Sequence, residues 1–259
     1  MVAGCTAPSG SWVRGHGFDH YVIESGVGEP QQPLHVYLAG DGRPFLRRDQ
    51  IAADPTVQRP LIWSLQKRDP QPSIYIGRPC YHGRNQACSP QWWTSHRYAP
   101  EIVHSMVAAT RRAAGDRPLV LIGHSGGGAL AVRMAARMPQ VVGVVTLAAN
   151  LDVQAWTDWH RYTPLEPRTV AFELAEVRPE VWQRHLVGGQ DEVVPPQTVA
   201  RVAQKLPADS VCVVPRYDHN CCWRRDWPAL IERLHLSNCG DLADGRIVVE
   251  PFKKGVQSE

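Results

Sequence analysis

The chain has 259 residues, of which 43% are hydrophobic and 20% are charged, and its formal net charge is +3. Single α/β domains commonly reach about 200 to 250 residues, so one folded domain with a sizeable core is expected. The arginines are scattered rather than clustered, which argues against a nucleic-acid-binding surface. No apolar run approaches the roughly 20 residues that a membrane-spanning helix needs.

The N-terminal segment, residues 1–18, carries a motif that bears on localisation. Residues 2–5 (Val-Ala-Gly-Cys) resemble the lipobox of bacterial lipoproteins, in which the cysteine becomes the lipid-anchored first residue. The charged and apolar regions of a signal peptide do not precede the motif here, so either the true start lies upstream or the match is chance. The first alternative predicts a lipid anchor through Cys5.

The other six cysteines bear on the same question. Their even number suits an oxidising compartment, and a disulfide between Cys80 and Cys88 would close a short loop. The sequence does not assign pairs among the six, which are Cys80, Cys88, Cys212, Cys221, Cys222 and Cys239. We expect an exported protein, periplasmic or membrane-anchored; the alternative is a cytoplasmic enzyme with reduced thiols.

Short apolar runs bounded by turn residues predict strands. Three such runs come early in the chain, at 19–25, 34–39 and 73–77. Residues 60–66 fit a helix or a short strand, and their position between strands favours a helix that begins near Pro55 or earlier.

The long loop at 78–98 contains Trp92 and Trp93. A loop that follows a strand of a parallel sheet lies at the carboxyl edge, where α/β proteins bind ligands. The two tryptophans are therefore candidate substrate-binding residues. Packing of both indoles back onto the body of the protein is the equally weighted alternative.

Strands and helices alternate in the rest of the chain. Helices are predicted at 100–114, about 197–206 and 227–236, and strands at 141–147, 181–187 and 210–214. This alternation implies a parallel sheet with right-handed crossovers.

The stretch around Ser125 has the most specific pattern. Residues 119–122 have the length of one buried strand, whereas Leu130, Met134 and Met138 have helical spacing. Ser125 lies on the turn between them, in the sequence Gly-His-Ser-Gly-Gly at 123–127. Glycines two residues either side fit a turn this sharp, which strains the serine backbone and projects its hydroxyl outward. The pattern resembles the nucleophile elbow of the α/β-hydrolase family.

This stretch has two alternative interpretations. Gly126, Gly128 and Ala131 satisfy a relaxed dinucleotide-binding fingerprint, with Asp152 as the ribose-binding acid. A nucleotide-binding fold normally begins at its fingerprint strand, whereas several strands come earlier here. A purely structural glycine-rich turn is the other alternative.

An acid and a histidine follow in the order that the family uses. Residues 188–196 (Gly-Gly-Gln-Asp-Glu-Val-Val-Pro-Pro) resemble its acid-bearing loop, which identifies Asp191; a helix-capping role is the alternative. His219 follows the last predicted strand and matches the catalytic histidine. His124 and His160 are reserve candidates for the base.

Residues 39–42 (Ala-Gly-Asp-Gly) resemble the H-G-x-G oxyanion loop of the family, with alanine in place of the histidine. Aligning the glycines indicates the backbone N–H of Asp41 as one oxyanion donor, although Gly40 and Gly42 remain open and a plain Asp-Gly turn is the alternative. The second donor implied by the resemblance is the N–H of Gly126.

The resemblance implies an α/β-hydrolase fold: a mostly parallel twisted sheet with helices on both faces. It places a single domain at 19–236, with a small cap inserted at about 150–180, and leaves 237–259 as a C-terminal tail that the sequence does not place. Trp156 in the cap and His124 beside the nucleophile are candidate substrate-binding residues, together with the two loop tryptophans.

The implied activity is hydrolysis of a carboxylic ester, or a related acyl bond, in a small-molecule substrate. Ser125, His219 and Asp191 would form and hydrolyse an acyl-enzyme without a metal or organic cofactor. An acyltransferase with the same triad and a lipid-anchored binding protein with a relict triad are the alternatives. The sequence does not predict the oligomeric state.

Overall fold

The structure is a computed structural model that describes residues 10–47, 49–83, 87–166, 177–207, 209–235, 238–243 and 247–253. The lipobox match at residues 2–5 lies outside the described residues, as does the part of the expected cap at 167–176.

In the described part of the chain, nine strands form the main sheet. In chain order they are β1 (Ser11–Arg14), β2 (Asp19–Ser25), β3 (Leu34–Leu38), β6 (Ser73–Ile76), β7 (Leu119–His124), β8 (Val141–Leu147), β9 (Trp182–Gly188), β10 (Val211–Val214) and β11 (Glu250–Pro251). The remaining two, β4 (Phe45–Arg47) and β5 (Gln50–Ile51), pair as a separate hairpin.

The spatial order of the sheet is β1-β2-β6-β3-β7-β8-β9-β10-β11. The six strands from β6 to β10 in this order are mutually parallel, and the outer strands β1, β2 and β11 are antiparallel to their inner neighbours. Central strands of a parallel sheet are covered on both faces, which is why β7 is buried along its whole length.

Helices cover both faces of the sheet. They are α1 (Leu61–Gln66), α2 (Pro100–Ala114), α3 (Gly126–Ala135), α4 (Val153–His160), α5 (Pro196–Ala203) and α6 (Trp223–Ile231). On one face α2, α3 and α5 contribute to a single apolar cluster, and on the other α1 and α6 pack with Tyr37 and Tyr75. The expected α/β-hydrolase architecture is confirmed. Among the described residues, none of the helices combines the length and apolar character needed to cross a bilayer.

Most predicted elements are found, but two helices have bounds other than those predicted, and the last of them ends at Ile231 rather than at 236. The helix at 60–66 is confirmed as α1, but it does not begin near Pro55, because Pro60 has an extended backbone and caps it. The last helix begins at Trp223 rather than at 227 and tolerates Pro228 in its interior. The buried Trp223 indole donates to the carbonyl of Asp218, which fixes this earlier start.

The sheet extends beyond the predicted domain at 19–236. Strand β1 precedes these bounds, and β11, within the tail, pairs with β10. A disulfide between Cys212 in β10 and Cys239 ties the tail to the sheet, with the two Cα atoms 5.4 Å apart. A disulfide between Cys80 and Cys88 closes the short loop between them, and the remaining described pair is Cys221 with Cys222.

The turn from β7 to α3 has no room for side chains at its two outer glycines. A Cβ on Gly123 would overlap the carbonyl oxygen of Gly127, and a Cβ on Gly127 would overlap the carbonyl oxygens of Leu38 and Ala39. The obstructing atoms belong to the backbone and cannot move by a rotamer change. The steric explanation of this glycine spacing is therefore confirmed.

We expect Gly123→Ala and Gly127→Ala each to lower the free energy of unfolding by about 3 kcal/mol or more, since overpacking against fixed backbone is strongly destabilising. For Gly127 this cost exceeds the roughly 1 kcal/mol of helix propensity that alanine would contribute. Urea unfolding with disulfides intact measures the change. The control is Gly240→Ala, where the nearest atom to a new Cβ is a side-chain oxygen 3.3 Å away. Losses no larger than that of the control would contradict the steric argument.

Candidate active site

Ser125 lies at the carboxyl end of β7 in a strained backbone conformation. Its φ is 54° and its ψ is −127°, a region that residues with a Cβ rarely adopt. The backbone N–H of Ser125 donates to Leu147 at the end of β8 (2.9 Å), and its carbonyl accepts from Gly128 in α3 (3.0 Å). The serine is thus held by a neighbouring strand and by the helix that follows it.

Asp191 and His219 are brought together by the loops after β9 and β10. Oδ2 of the buried Asp191 carboxyl accepts a hydrogen bond from Nδ1 of His219 at 2.9 Å. Its Oδ1 accepts from the backbone N–H groups of Val193 and Val194, each at 2.8 Å. Because a carboxylate only accepts, Nδ1 of His219 carries the proton and Nε2 keeps its lone pair.

The acid-bearing and histidine-bearing loops also bond directly to each other. Gly189 donates its N–H to Val214 (3.0 Å), and Gln190 donates to Tyr217 (2.8 Å). A Cβ on Gly188 would lie 2.8 Å from the carbonyl oxygen of Tyr217. These contacts fix the distance between the loops independently of the side-chain bond.

His124 links the turn that carries Ser125 to the loop that carries His219. Its Nε2 donates to the backbone carbonyl of His219 at 2.8 Å, and the two imidazole rings are 4.8 Å apart between centroids. Burial, followed by the nearby His219, lowers the pKa of His124 to about 4. His124 is therefore neutral near pH 7 and positions the backbone of His219 rather than taking up a proton.

The loop after β3 packs against Ser125. A Cβ on Gly40 would lie 3.0 Å from Cβ of Ser125 and 3.4 Å from its Oγ. On the other side of the serine, Gly126 begins α3, where the first N–H groups have no partner within the helix. The two predicted oxyanion donors, the N–H groups of Asp41 and Gly126, thus belong to segments that flank Ser125.

The side chain of Asp41 has an environment that the sequence did not indicate. Its carboxylate accepts from Arg78 at 2.6 Å, from Arg97 at 3.0 Å and from the hydroxyl of Tyr98 at 2.7 Å. The two guanidinium groups are 1% and 9% exposed. Asn150 donates in turn to the Tyr98 hydroxyl at 2.8 Å.

This network lies against the N-terminus of α3. A methyl group on Gly126 would overlap Oδ1 of Asp41, so the carboxylate lies at a helix N-terminus, where negative charge is favourable. Burial alone raises the pKa of the Asp41 carboxyl, but Arg97, Arg78 and the Tyr98 hydrogen bond outweigh it and hold the pKa below 3.8. Asp41 is an anion whose charge is compensated inside the protein.

A cavity of about 1190 Å³ opens above these residues. Its lining includes Ser125, His219 and His124, and also Trp156 and His160 from α4. Trp156 donates to the carbonyl of Val193 at 2.8 Å, and His160 contacts the same oxygen at 2.9 Å. The structure therefore places the predicted substrate-binding residues His124 and Trp156 at the cavity.

Trp92 and Trp93 are not among the residues that line this cavity. Trp93 is 1% exposed and donates to the carbonyl of Ala52, and Trp92 donates to Ala87 and packs edge-on against Phe18. The structure does not place these tryptophans where a substrate in this cavity would contact them. Both indoles pack within the protein, which agrees with the alternative interpretation.

The dinucleotide-binding alternative needs the Asp152 carboxylate to be available to a ribose, but this carboxylate is bonded within the protein. Both carboxylate oxygens of Asp152 bond to Arg201, at 2.7 and 2.8 Å, and Oδ1 also caps α4. Within the described part of the chain, no group of three or more His, Cys, Asp or Glu side chains is arranged to hold a metal ion.

Solved structures with a similar fold come from several organisms. A putative hydrolase from Agrobacterium vitis has a TM-score of 0.59 at 15% identity, covering 88% of this chain and 99% of its own. Est1E from Butyrivibrio proteoclasticus, solved with ferulic acid bound, has a TM-score of 0.60 at 11% identity, covering 88% and 100%. Mouse alpha/beta hydrolase domain-containing protein 10 has a TM-score of 0.55 at 16% identity, covering 86% and 95%.

No curated protein sequence matches the chain. The family model for serine aminopeptidase S33 matches residues 82–220, which is more than half of the 259 residues. The matched range contains Ser125, Asp191 and His219. The sequence match and the shared architecture together show that this chain belongs to the α/β-hydrolase family.

Proposed function

We propose that the protein is a serine hydrolase that cleaves a carboxylic ester through Ser125, His219 and Asp191. The observation that carries this proposal is the hydrogen bond from His219 to the buried Asp191, in a cavity that also contains the strained Ser125. A fold alone does not define an activity, but this combination supplies a nucleophile, a base and a group that orients the base.

The proposed mechanism begins with proton transfer. Nε2 of His219 takes the proton of the Ser125 hydroxyl as Oγ attacks the acyl carbon, because a serine hydroxyl is a weak nucleophile without an adjacent base. The resulting imidazolium is stabilised by Asp191 and then protonates the leaving alcohol. Water repeats the sequence on the acyl-enzyme and frees the serine.

The N–H groups of Gly126 and Asp41 are the proposed donors to the tetrahedral oxyanion. By analogy with measured oxyanion donors, each would contribute on the order of 3 to 4 kcal/mol to transition-state stabilisation. The support for Asp41 is that its loop packs against Ser125. Its carboxylate, fixed by two buried arginines, would hold this N–H in place.

An ester is favoured over a peptide as the substrate for two reasons. An alcohol is a better leaving group than an amine, and a peptide with a protonated N-terminus needs a carboxylate to bind it. The described lining of the cavity contains two acids, Asp41 and Asp49, and Asp41 is already paired with Arg78 and Arg97.

Labelling with a fluorophosphonate tests for an activated serine. We expect wild-type protein to be modified at Ser125, located by mass spectrometry, and His219→Ala to label far more slowly because the base is lost. Ester hydrolysis should fall by about 10³-fold or more in Ser125→Ala, His219→Ala and Asp191→Asn.

The control for labelling is Ser95→Ala, because Ser95 also lines the cavity and bonds to Nδ1 of a histidine, His96, at 2.8 Å. This variant should label like wild type. A folded wild type that stays unlabelled, or an adduct at Ser95, would refute the proposed nucleophile. Product that forms only with an added alcohol or amine would identify an acyltransferase instead.

We expect Asp41→Asn to lower the free energy of unfolding by about 3 to 5 kcal/mol near neutral pH, since it leaves two buried guanidinium groups uncompensated. Because the pKa of Asp41 in the folded protein lies below 3.8, its stabilisation is present above that pH and is lost as the pH falls through the folded value. The difference between wild type and variant should therefore shrink in acid.

Urea unfolding at a series of pH values measures both effects. The control is Asp49→Asn, which removes an exposed acid from the same cavity lining and should change stability by less than about 0.5 kcal/mol. If the two variants are equally stable near neutral pH, the charge of Asp41 does not hold this loop.

A further inference from the structure

The cavity rim carries three arginines that come from three different elements. Arg47 ends β4, Arg59 lies two residues before α1, and Arg161 caps the C-terminus of α4 in a left-handed conformation, with φ of 55°. All three are exposed, and all three line the cavity that contains Ser125. Separate segments of the chain thus direct positive charge to one opening.

None of the three guanidinium groups is bonded to a carboxylate among the residues that the structure describes. The remaining arginine of the described lining, Arg97, differs in being buried and paired with Asp41. The described lining has four arginines, two aspartates and no lysine or glutamate, which gives a formal charge of +2. With Arg97 and Asp41 compensating each other, three free arginines face one free acid, Asp49.

Apolar side chains lie beside each arginine. Phe45, Leu61 and Tyr162 are each within two residues of one of the three and line the same cavity. This arrangement suits a ligand with an apolar body that ends in an anion. Guanidinium groups bind carboxylate and phosphate oxygens in a bidentate manner, and a cleft lined with one sign of charge concentrates ligands of the other sign.

We propose that the acyl substrate carries an anionic group, a carboxylate or a phosphate, that Arg47, Arg59 and Arg161 bind. This inference rests on the proposed function, since it assigns the substrate class of the same site. The alternative is that the three arginines are solvated surface groups without a ligand.

Three para-nitrophenyl esters with the same chain length separate these alternatives: those of glutarate, monomethyl glutarate and γ-phosphonobutyrate. We expect wild-type kcat/KM at low ionic strength to be at least about 10-fold higher for an anionic ester than for the neutral one. This ratio should fall with added salt, because the arginines are exposed. The anionic ester that gives the larger ratio distinguishes a carboxylate from a phosphate as the recognised group.

Arg47→Gln, Arg59→Gln and Arg161→Gln should each lower the anionic-to-neutral ratio by about 3- to 10-fold, mainly through KM, and the triple variant should remove the preference. The matched control is Arg68→Gln, which should leave both the ratio and the hydrolysis of the neutral ester unchanged. Arg68 is exposed and lies between α1 and β6, at the opposite edge of the parallel strands. Its guanidinium donates to the carbonyl of Ser64 in α1 at 3.4 Å.

Binding provides a readout that does not depend on turnover. Isothermal titration calorimetry of Ser125→Ala should give at least about 10-fold tighter binding of an anionic ester, and the three arginine substitutions should abolish that difference. Equal affinity for the three esters, or a preference that survives the triple substitution, would overturn the inference.

The two proposals fail in different ways. If the neutral ester is cleaved in a Ser125-dependent manner but the triple variant keeps the wild-type ratio, the substrate class is wrong and the hydrolase stands. If no ester is cleaved and no serine is labelled, the hydrolase proposal fails, and the calorimetric comparison still decides whether the arginines bind an anion.

Discussion

The close approach of α3 to strands β3 and β7 is the constraint on which the site depends. Gly123 and Gly127 leave their backbones in contact with each other and with the end of β3, so the chain between them must turn within three residues. Ser125 adopts a positive φ in this turn, which is a strained conformation for a residue with a Cβ. The same approach brings Gly40 against Ser125 and Gly126 against Asp41, so that Ser125 and the segments flanking it are positioned by one packing arrangement.

A buried ion cluster completes that arrangement. Moving a carboxylate out of water is costly unless charged partners and hydrogen bonds replace its hydration. Asp41 obtains both from Arg78, Arg97 and Tyr98, and Tyr81 donates to its backbone carbonyl at 2.8 Å. The loop after β3 is therefore held through both its side chain and its main chain. The arginines at the rim differ in that their charge remains available to solvent and to a ligand.

Features encoded within a few residues could be predicted from the sequence, and features that depend on distant contacts could not. The bounds of β2, α2 and β8 agree with prediction because continuous apolar runs or helical spacing define them. The edge strands β1 and β11 were missed because four and two residues carry too little periodicity. Their pairing depends on strands elsewhere in the sheet.

The residues of the candidate site also divide into those that local motifs predict and those that distant contacts define. Ser125, Asp191 and His219 stand in local motifs after strands, so their convergence at one sheet edge followed from topology. The partners of Asp41 lie 37 and 56 residues away, and no sequence pattern connects them to it. Trp92 and Trp93 were misjudged because exposure cannot be read from a loop without periodicity. Trp93 is buried in a cluster with Phe18, Cys80 and Tyr81.

The hydrogen bond from His124 to the carbonyl of His219 has a consequence for motion. The loop that carries His219 and the turn that carries Ser125 are joined by this bond between residues 95 positions apart in sequence, and His124 is adjacent to Ser125. A displacement of the loop would therefore have to break this bond or carry the turn with it. The bond ties the position of His219 to that of Ser125, which are the base and the nucleophile of the proposed mechanism.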